Sequence, residues 1–420
     1  MFSMSVMSQE NKELLTPFKP VGTQSYSGRS INMEDGVYSV AIEVTDKAGV
    51  TSRSFSNTFI VDSSPPLIIL VQHGCFGETV EFVNTTVITF RSYFIVKDEL
   101  SLITAYKIGV GTFSGADDVV KFETYSLREH ASTLRANWTS PKPTTLENHR
   151  RYFITVLARN KAGLLSIKSS LPMLSDFEAP KYGLVMDGWG SSDIEYQSFS
   201  SLYRAHWYGF TDFSGIETTY LGLSSKTGDS CDVKQEELVP SNSVAYVLFG
   251  LSLASGKKYH ACLKLVDRAG NVAYFHSNGL VVDSSPPLTG FVNDGSLDQD
   301  VDVQTDSSVL RASWANFSEN ETRIASYHLA FGSVPGAQDI QDFTNVGLVH
   351  TSPSSRLKVR ELINGEHYYA TVIAYNILGI PSSIVSSNGV LVDFTPPIFS
   401  QPTRDGEDPI SDHNYTSLIK

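Results

Sequence analysis

The groups in this 420-residue chain that could do chemistry are three cysteines, ten histidines and 45 carboxylates. None of them falls into a catalytic pattern. HExxH, CxxC, GxxxxGK[ST] and GxSxG are all absent, so the spacing offers no zinc pair, no phosphate-cradling loop and no nucleophile elbow. His206 and His260 stand beside Trp207 and Tyr259 on the opposite phase of their strands, which reads as solvated surface rather than a general base. No catalytic, cofactor-binding or metal-ligating residue is assigned. Asp62, Asp283 and Asp393, with Asp294 and Asp405 downstream, recur at positions where a calcium ion could bridge two domains. Calcium takes roughly six to eight oxygens, and each position offers few acids, so the preferred reading is an Asp capping a turn beside Ser or Thr. Cys75, Cys231 and Cys262 are sparse and odd in number; they either bridge or stay as inert thiols.

Five N-x-[ST] triplets, at Asn84, Asn137, Asn316, Asn320 and Asn414, are candidate glycosylation sites. That number is close to what the composition gives by chance, so the placement of Asn84, Asn316, Asn320 and Asn414 in loops carries the reading. The formal net charge of −13 disfavours an electrostatic grip on nucleic acid or on an anionic membrane surface. No apolar run is long enough to span a bilayer. The start, MFSMSVMSQENKELL, lacks the basic and apolar regions of a signal peptide.

What must position these residues is a repeat. The phrases YSVAIEVTDKAG, YFITVLARNKAG, YHACLKLVDRAG and YYATVIAYNILG begin at Tyr38, Tyr152, Tyr259 and Tyr368 and close on Gly49, Gly163, Gly270 and Gly379. A period of more than one hundred residues is that of whole domains. Each phrase alternates apolar and mixed residues, the pattern of a half-buried antiparallel strand ending in a hairpin turn. Each is followed by IVDSSPP, LSDFEAP, VVDSSPP or LVDFTPP, where proline forces an extended crossing out of one domain into the next. Trp207 and Trp314 lie 19 residues after the opening glycines Gly188 and Gly295, and Tyr220 and Tyr327 follow 13 later. This predicts a buried-Trp strand and then a second core strand. Tyr93 and Tyr106 match by count in the preceding repeat, but its apolar phase of Ile88, Phe90 and Phe94 is one residue out of step, implying a bulge or shifted register. LRANW at Leu134 is assigned to the fifth strand. The stretch from Gly111 to Ser132 is expected as a polar inter-strand segment presenting a contact surface.

These residues resemble the fibronectin type III family and the immunoglobulin-like sandwiches near it. The carriers are Trp207 and Trp314, and the corners LASGKKY and LINGEHY, with Leu253, Gly256 and Tyr259, then Leu362, Gly365 and Tyr368. The second repeat has His149 in place of that glycine. The resemblance implies an all-β chain of tandem antiparallel β-sandwiches: a partial one over 1–64, whole ones over 65–178, 179–285 and 286–395, and the start of another over 396–420. In such a sandwich Cys231 and Cys262 fall on neighbouring strands and are expected to pair, leaving Cys75 free or bound to another chain. The function implied is a non-enzymatic extracellular or cell-surface array, a fragment of a larger protein. It would act as spacer and adhesion or matrix surface for protein or glycan ligands. The alternatives are a bacterial-type surface adhesin array and accessory domains of a larger enzyme.

Overall fold

The computed structural model describes residues 1–23, 28, 30–190, 192–228, 230–296, 299–353 and 361–400, and among them there is no α-helix. The Tyr-led phrases become the strands Gly36–Thr45, Arg151–Asn160, Lys258–Asp267 and His367–Asn376. Each is central to its sheet, pairing with an earlier strand and with its own hairpin partner. In the second repeat the order is Val120–Ala131, Ile103–Gly111, Arg151–Asn160, with Leu165–Ser169 and Met173–Ser175 on the far side. A three-stranded sheet of Thr133–Thr139, Arg91–Lys97 and Leu67–His73 covers it. Their apolar faces meet in a core holding Phe94, Ile108, Trp138, Ile154 and Val156.

The next two repeats keep this plan. Leu184–Asp187, Leu202–Tyr208 and Ala245–Phe249 form one three-stranded sheet; Phe291–Ser296, Arg311–Ala315 and Thr351–Pro353 form the other. Separate cores contain Trp207 and Trp314. The chain is therefore an all-β series of tandem sandwiches. The pairing is antiparallel except for one two-residue parallel contact per sandwich, such as Tyr196 opposite Val281. There the first strand crosses to the other sheet and covers an edge that would otherwise stay open.

Each Tyr of the corner closes a backbone bond. The amides of Glu147, Ala254 and Ile363 donate to the hydroxyls of Tyr152, Tyr259 and Tyr368 at 2.8, 3.0 and 2.9 Å. The turn three residues before needs a left-handed backbone. Gly256 and Gly365 supply it at φ 75° and 88°, and His149 is forced into it at φ 58°, a conformation that costs an L-residue roughly 1–2 kcal/mol.

The one-residue shift expected in the second repeat is present: Phe94, not Tyr93, takes the Trp position and faces Val71 as Trp207 faces Val185 and Trp314 faces Val292, with a bulge between Ile68 and Leu70 on the partner strand. Other expectations are corrected. Tyr220 and Tyr327 are not equivalent. Tyr327 points into the core opposite Ala374, whereas in the third repeat that slot belongs to Thr219, opposite Leu265, and Tyr220 turns outward beneath Lys264. Most of Gly111–Ser132 is the strand Val120–Ala131, whose Tyr125 and Leu127 pack on the core. In the first repeat a single five-stranded sheet is present. Ile42 and Val44 there stay 41% and 37% exposed, because no second sheet covers them among the described residues.

Trp314 is fully buried, so Trp314→Ala should destabilise its sandwich by about 3–5 kcal/mol. Chemical denaturation followed by far-UV circular dichroism, which should show strand and no helix, measures this.

Candidate functional site at the joints

The last strand of each of the first three repeats runs into an aspartate, Asp62, Asp176 or Asp283. In every case another acid follows 36 residues on, as Asp98, Asp212 and Glu319. A third residue, three before the hairpin glycine, completes each set: Asn160, Asp267 or Asn376. The fold brings the three together where one sandwich meets the next.

At the first joint the Asn160 amide donates to Asp62 Oδ2 at 3.0 Å, to Asp98 Oδ2 at 3.1 Å and to the Ser64 carbonyl at 3.1 Å. Its own Oδ1 accepts from the Leu164 amide, which folds the hairpin. Asp62 also divides its work, because its Oδ1 accepts from the Ser64 amide and holds the exit turn. The third joint repeats this chemistry. Asn376 Nδ2 reaches Asp283 Oδ2 at 3.0 Å and Glu319 Oε2 at 3.4 Å, and Thr322 Oγ1 donates to the same Asp283 oxygen at 2.6 Å. Placing an amide N–H between two carboxylates satisfies buried acceptors that would otherwise repel each other.

The middle joint differs. Asp267 stands where the others have asparagine, and three carboxylates, Asp176, Asp212 and Asp267, face one another. Asp176 is fully buried and accepts from the Ser214 amide of the following sandwich. Asn271 supplies the missing amide, donating to the carbonyls of Asp176 and Glu178 and to Asp267 Oδ2. Burial, reinforced by the charges of Asp212 and Asp176, raises the Asp267 pKa. His149 stacks on Phe213 across this joint, with ring centroids 4.4 Å apart, and its Nε2 lies 3.6 Å from Asp176. Among the described residues, two groups have the donor chemistry for a divalent cation, Asp176 with Asp212 and Asp267, and Asp283 with Glu319 and Glu321. In each, one oxygen per residue lies within 4.8 Å of the others.

Among the acids singled out from sequence, Asp62 and Asp283 lie at joints, and Asp393 accepts from the amide and hydroxyl of Thr395. Asp294 does not face a joint. It is buried inside its own sandwich, accepting from Ser387 Oγ and the Gly389 amide at 2.9 Å each, and burial pushes its pKa up to about 6. Asp187 plays this part in the preceding sandwich, bonded to Tyr203 and Gly279. In the one before that the part falls to His73, whose Nε2 lies 3.1 Å from the Tyr152 carbonyl. Asp405 and Asn414 fall outside the described residues. Sequence reading missed Asp98, Asp212, Asp267, Glu319, Asn160 and Asn376. The constant spacing of 36 and the Asn or Asp before each hairpin glycine were the available signals.

Cys231 and Cys262 are joined in a disulfide with Cα atoms 5.8 Å apart, and Cys75 is a free thiol. Gly222, paired with Cys262, makes the room: a Cβ there would lie 2.7 Å from Cys231 Sγ. His206 and His260 are half-buried rather than solvated, His260 Nδ1 lying 2.9 Å from the Ser277 carbonyl. Asn84, Asn137, Asn316 and Asn320 are exposed.

No protein-family model and no curated protein matches the chain. Solved structures do. The chicken CNTN1 FN1-FN3 domains are 13% identical with a TM-score of 0.26, over 78% of this chain and 97% of that one. A 1.5-MDa bacterial ice-binding adhesin is 14% identical with a TM-score of 0.44, over 79% and 100%. A Ca2+-stabilized, ice-binding adhesin of an Antarctic bacterium is 13% identical with a TM-score of 0.35, over 93% and 90%. The likeness is one of fold.

Two outcomes are expected. The raised pKa of Asp294 means that its contribution to stability is fully present below about pH 3.8 and is lost as pH rises through about 6. Asp294→Asn should therefore flatten the stability–pH curve across that window, as urea midpoints would reveal. Gly222→Ala should destabilise the third repeat by about 1–3 kcal/mol through overpacking at the disulfide, readable by thermal denaturation.

Proposed function

We propose that this chain of tandem fibronectin type III-like sandwiches is a non-catalytic spacer, an extracellular or cell-surface array that holds interaction faces for protein or glycan ligands at set intervals. The observation that carries the reading is the recurrent joint. In each of three places an Asp leaving one sandwich is bound by side chains or backbone of the next. A linker built for free swivelling would be Gly/Ser-rich and unbonded; these are short, Pro-containing and hydrogen-bonded. The repeating units proposed are 65–178, 179–285 and 286–395, with partial ones at 1–64 and 396–420.

Absence of catalysis is part of the proposal. The acids with raised pKa values, Asp187, Asp267, Asp294 and Glu319, are all engaged in structural bonds. The exposed asparagines of four N-x-[ST] triplets suit attached glycans in an oxidising compartment, as does the disulfide.

Small-angle scattering of the chain should give a maximum dimension near that of its sandwiches laid end to end. Asn376→Ala, which removes the amide from between Asp283 and Glu319, should broaden the distance distribution while leaving circular dichroism unchanged. A compact globule, or a wild-type profile as broad as that of the variant, would overturn the spacer reading.

A further inference from the structure

Asn-Gly occurs three times in the chain, at Asn278, Asn364 and Asn388. Asparagine before glycine is open to self-modification, because the glycine nitrogen is one bond short of closing a ring on the side-chain carbon Cγ, and glycine puts no Cβ in the way. Two of the three pairs stand at one place in the fold. Asn278-Gly279 and Asn388-Gly389 lie directly before the last strand, Leu280–Val282 or Val390–Val392, and in each the asparagine is exposed while the glycine is buried.

At both places a buried carboxylate of the first strand holds the amide nitrogen. Gly279 N donates to Asp187 Oδ2 and Gly389 N to Asp294 Oδ2, each at 2.9 Å. The second oxygen of each carboxylate is fixed too, by the Tyr203 hydroxyl in one sandwich and by Ser387 Oγ at 2.9 Å in the other. Glycine is required here: φ is 85° and 96°, and a Cβ would come within 2.5 Å of the His260 or the Tyr369 ring. Asn364-Gly365 is built differently, since Gly365 N donates to the Val392 carbonyl at 2.7 Å. The second repeat has His73 where the others have aspartate, and the matching dipeptide is Leu171-Pro172, with neither an N–H nor a carboxamide.

We propose that Asn278 and Asn388 are sites at which the folded chain modifies itself, with Asp187 and Asp294 as the bases. As the glycine nitrogen closes on Cγ, its proton passes to the carboxylate. The N–Cγ bond forms, the Cγ–Nδ2 bond breaks, and the side-chain nitrogen leaves as ammonia with a proton from solvent. The carboxylic acid returns its own proton to water, so the net change is loss of ammonia and closure of a succinimide. Water then opens that ring at either carbonyl, leaving aspartate or isoaspartate. A peptide nitrogen becomes acidic only as it attacks, which is where a positioned base acts. Burial keeps hydroxide from Gly279 and Gly389, while the exposed asparagines let ammonia out and water in.

Burial also raises the pKa of both aspartates, that of Asp294 to about 6, which makes each a stronger base. The charged groups facing Asp294 are Asp300 and Asp302, the latter 3.2 Å from Asn388 Nδ2; Asp193 and Tyr203 face Asp187. Isoaspartate adds a methylene to the main chain just before the last strand. It draws the glycine amide off its carboxylate and loosens the strand that leads to Asp283 or Asp393. Each event is a single turnover on the chain itself.

The test incubates the full chain between about pH 5 and 9 in heavy-oxygen water, then maps its peptides by mass spectrometry with fragmentation that separates aspartate from isoaspartate. Asn278 and Asn388 should convert at least about tenfold faster than Asn364 near neutral pH. The rate at Asn388 should level off above about pH 7, once Asp294 is ionised, whereas attack promoted by hydroxide climbs about tenfold per pH unit. Asp294→Asn keeps an acceptor for Gly389 N but no base; it should slow Asn388 at least about tenfold and leave Asn278 unchanged. Asp187→Asn should do the converse. Aspartates with a purely structural role would give the opposite sign, because a loosened turn cyclises faster. If one variant fails to fold, the other and the wild-type pH profile decide. The proposal is overturned if Asn364 converts as fast as the other two, if the rate at Asn388 keeps climbing with pH, if the folded variants convert no more slowly, or if conversion requires denaturant.

Discussion

The Asn160 side chain uses its two ends for different levels of structure. Its oxygen holds the hairpin turn within a sandwich, and its amide hydrogens hold the carboxylates where that sandwich meets the one before. Asn376 does the same. Local turn, sheet and joint are thus tied through one residue, and the joint geometry is inherited from a rigid hairpin rather than left to a flexible linker. A carboxylate at this position removes the donor, and the middle joint adapts through Asn271, which bonds main-chain carbonyls of the incoming segment.

A second polar device lies within each sandwich. Asp187, Asp294 and His73 occupy one position on the first strand and bond groups of the opposite sheet. Burial acts on them in opposite senses: it raises the pKa of Asp294 to about 6 and lowers that of His73 to about 4. Both shifts favour the neutral form, as expected where charge is cut off from water. The same architectural task is thereby met by an acid or a base, and the two sandwiches respond to acidification with opposite sign.

The cores illustrate how a repeat diverges without changing fold. Backbone pairing is nearly constant, yet the ring cluster around Tyr106 and Tyr327 is replaced by Thr219 and Leu265 in the third repeat. Strand pairing depends on backbone groups common to all residues, so side-chain exchange leaves it intact. What changes is which side chains fill the space between the sheets, Phe210 and Phe275 packing on the core of the third repeat.

The alternating Tyr-led strands, the hairpin glycines and the proline-containing exits from the last strands were legible in the sequence, because they follow from period-two burial and from backbone restrictions local to a few residues. The pairing of Cys231 with Cys262 followed once those strands were placed side by side. Counting from Trp314 to Tyr327 misassigned Tyr220, since a one-residue difference in register turns a side chain from one face to the other. The joints were half seen: Asp62 and Asp283 stood out beside proline, but Asp98, Asn160, Glu319 and Asn376 lie 36 to 98 residues away. Only folding both sheets and docking the next sandwich brings those carboxylates and amides within 3.4 Å of one another. Local sequence determined the strands and turns; the side-chain contacts across sheets and between sandwiches were decided by the tertiary structure, because proximity in space carries no fixed separation along the chain.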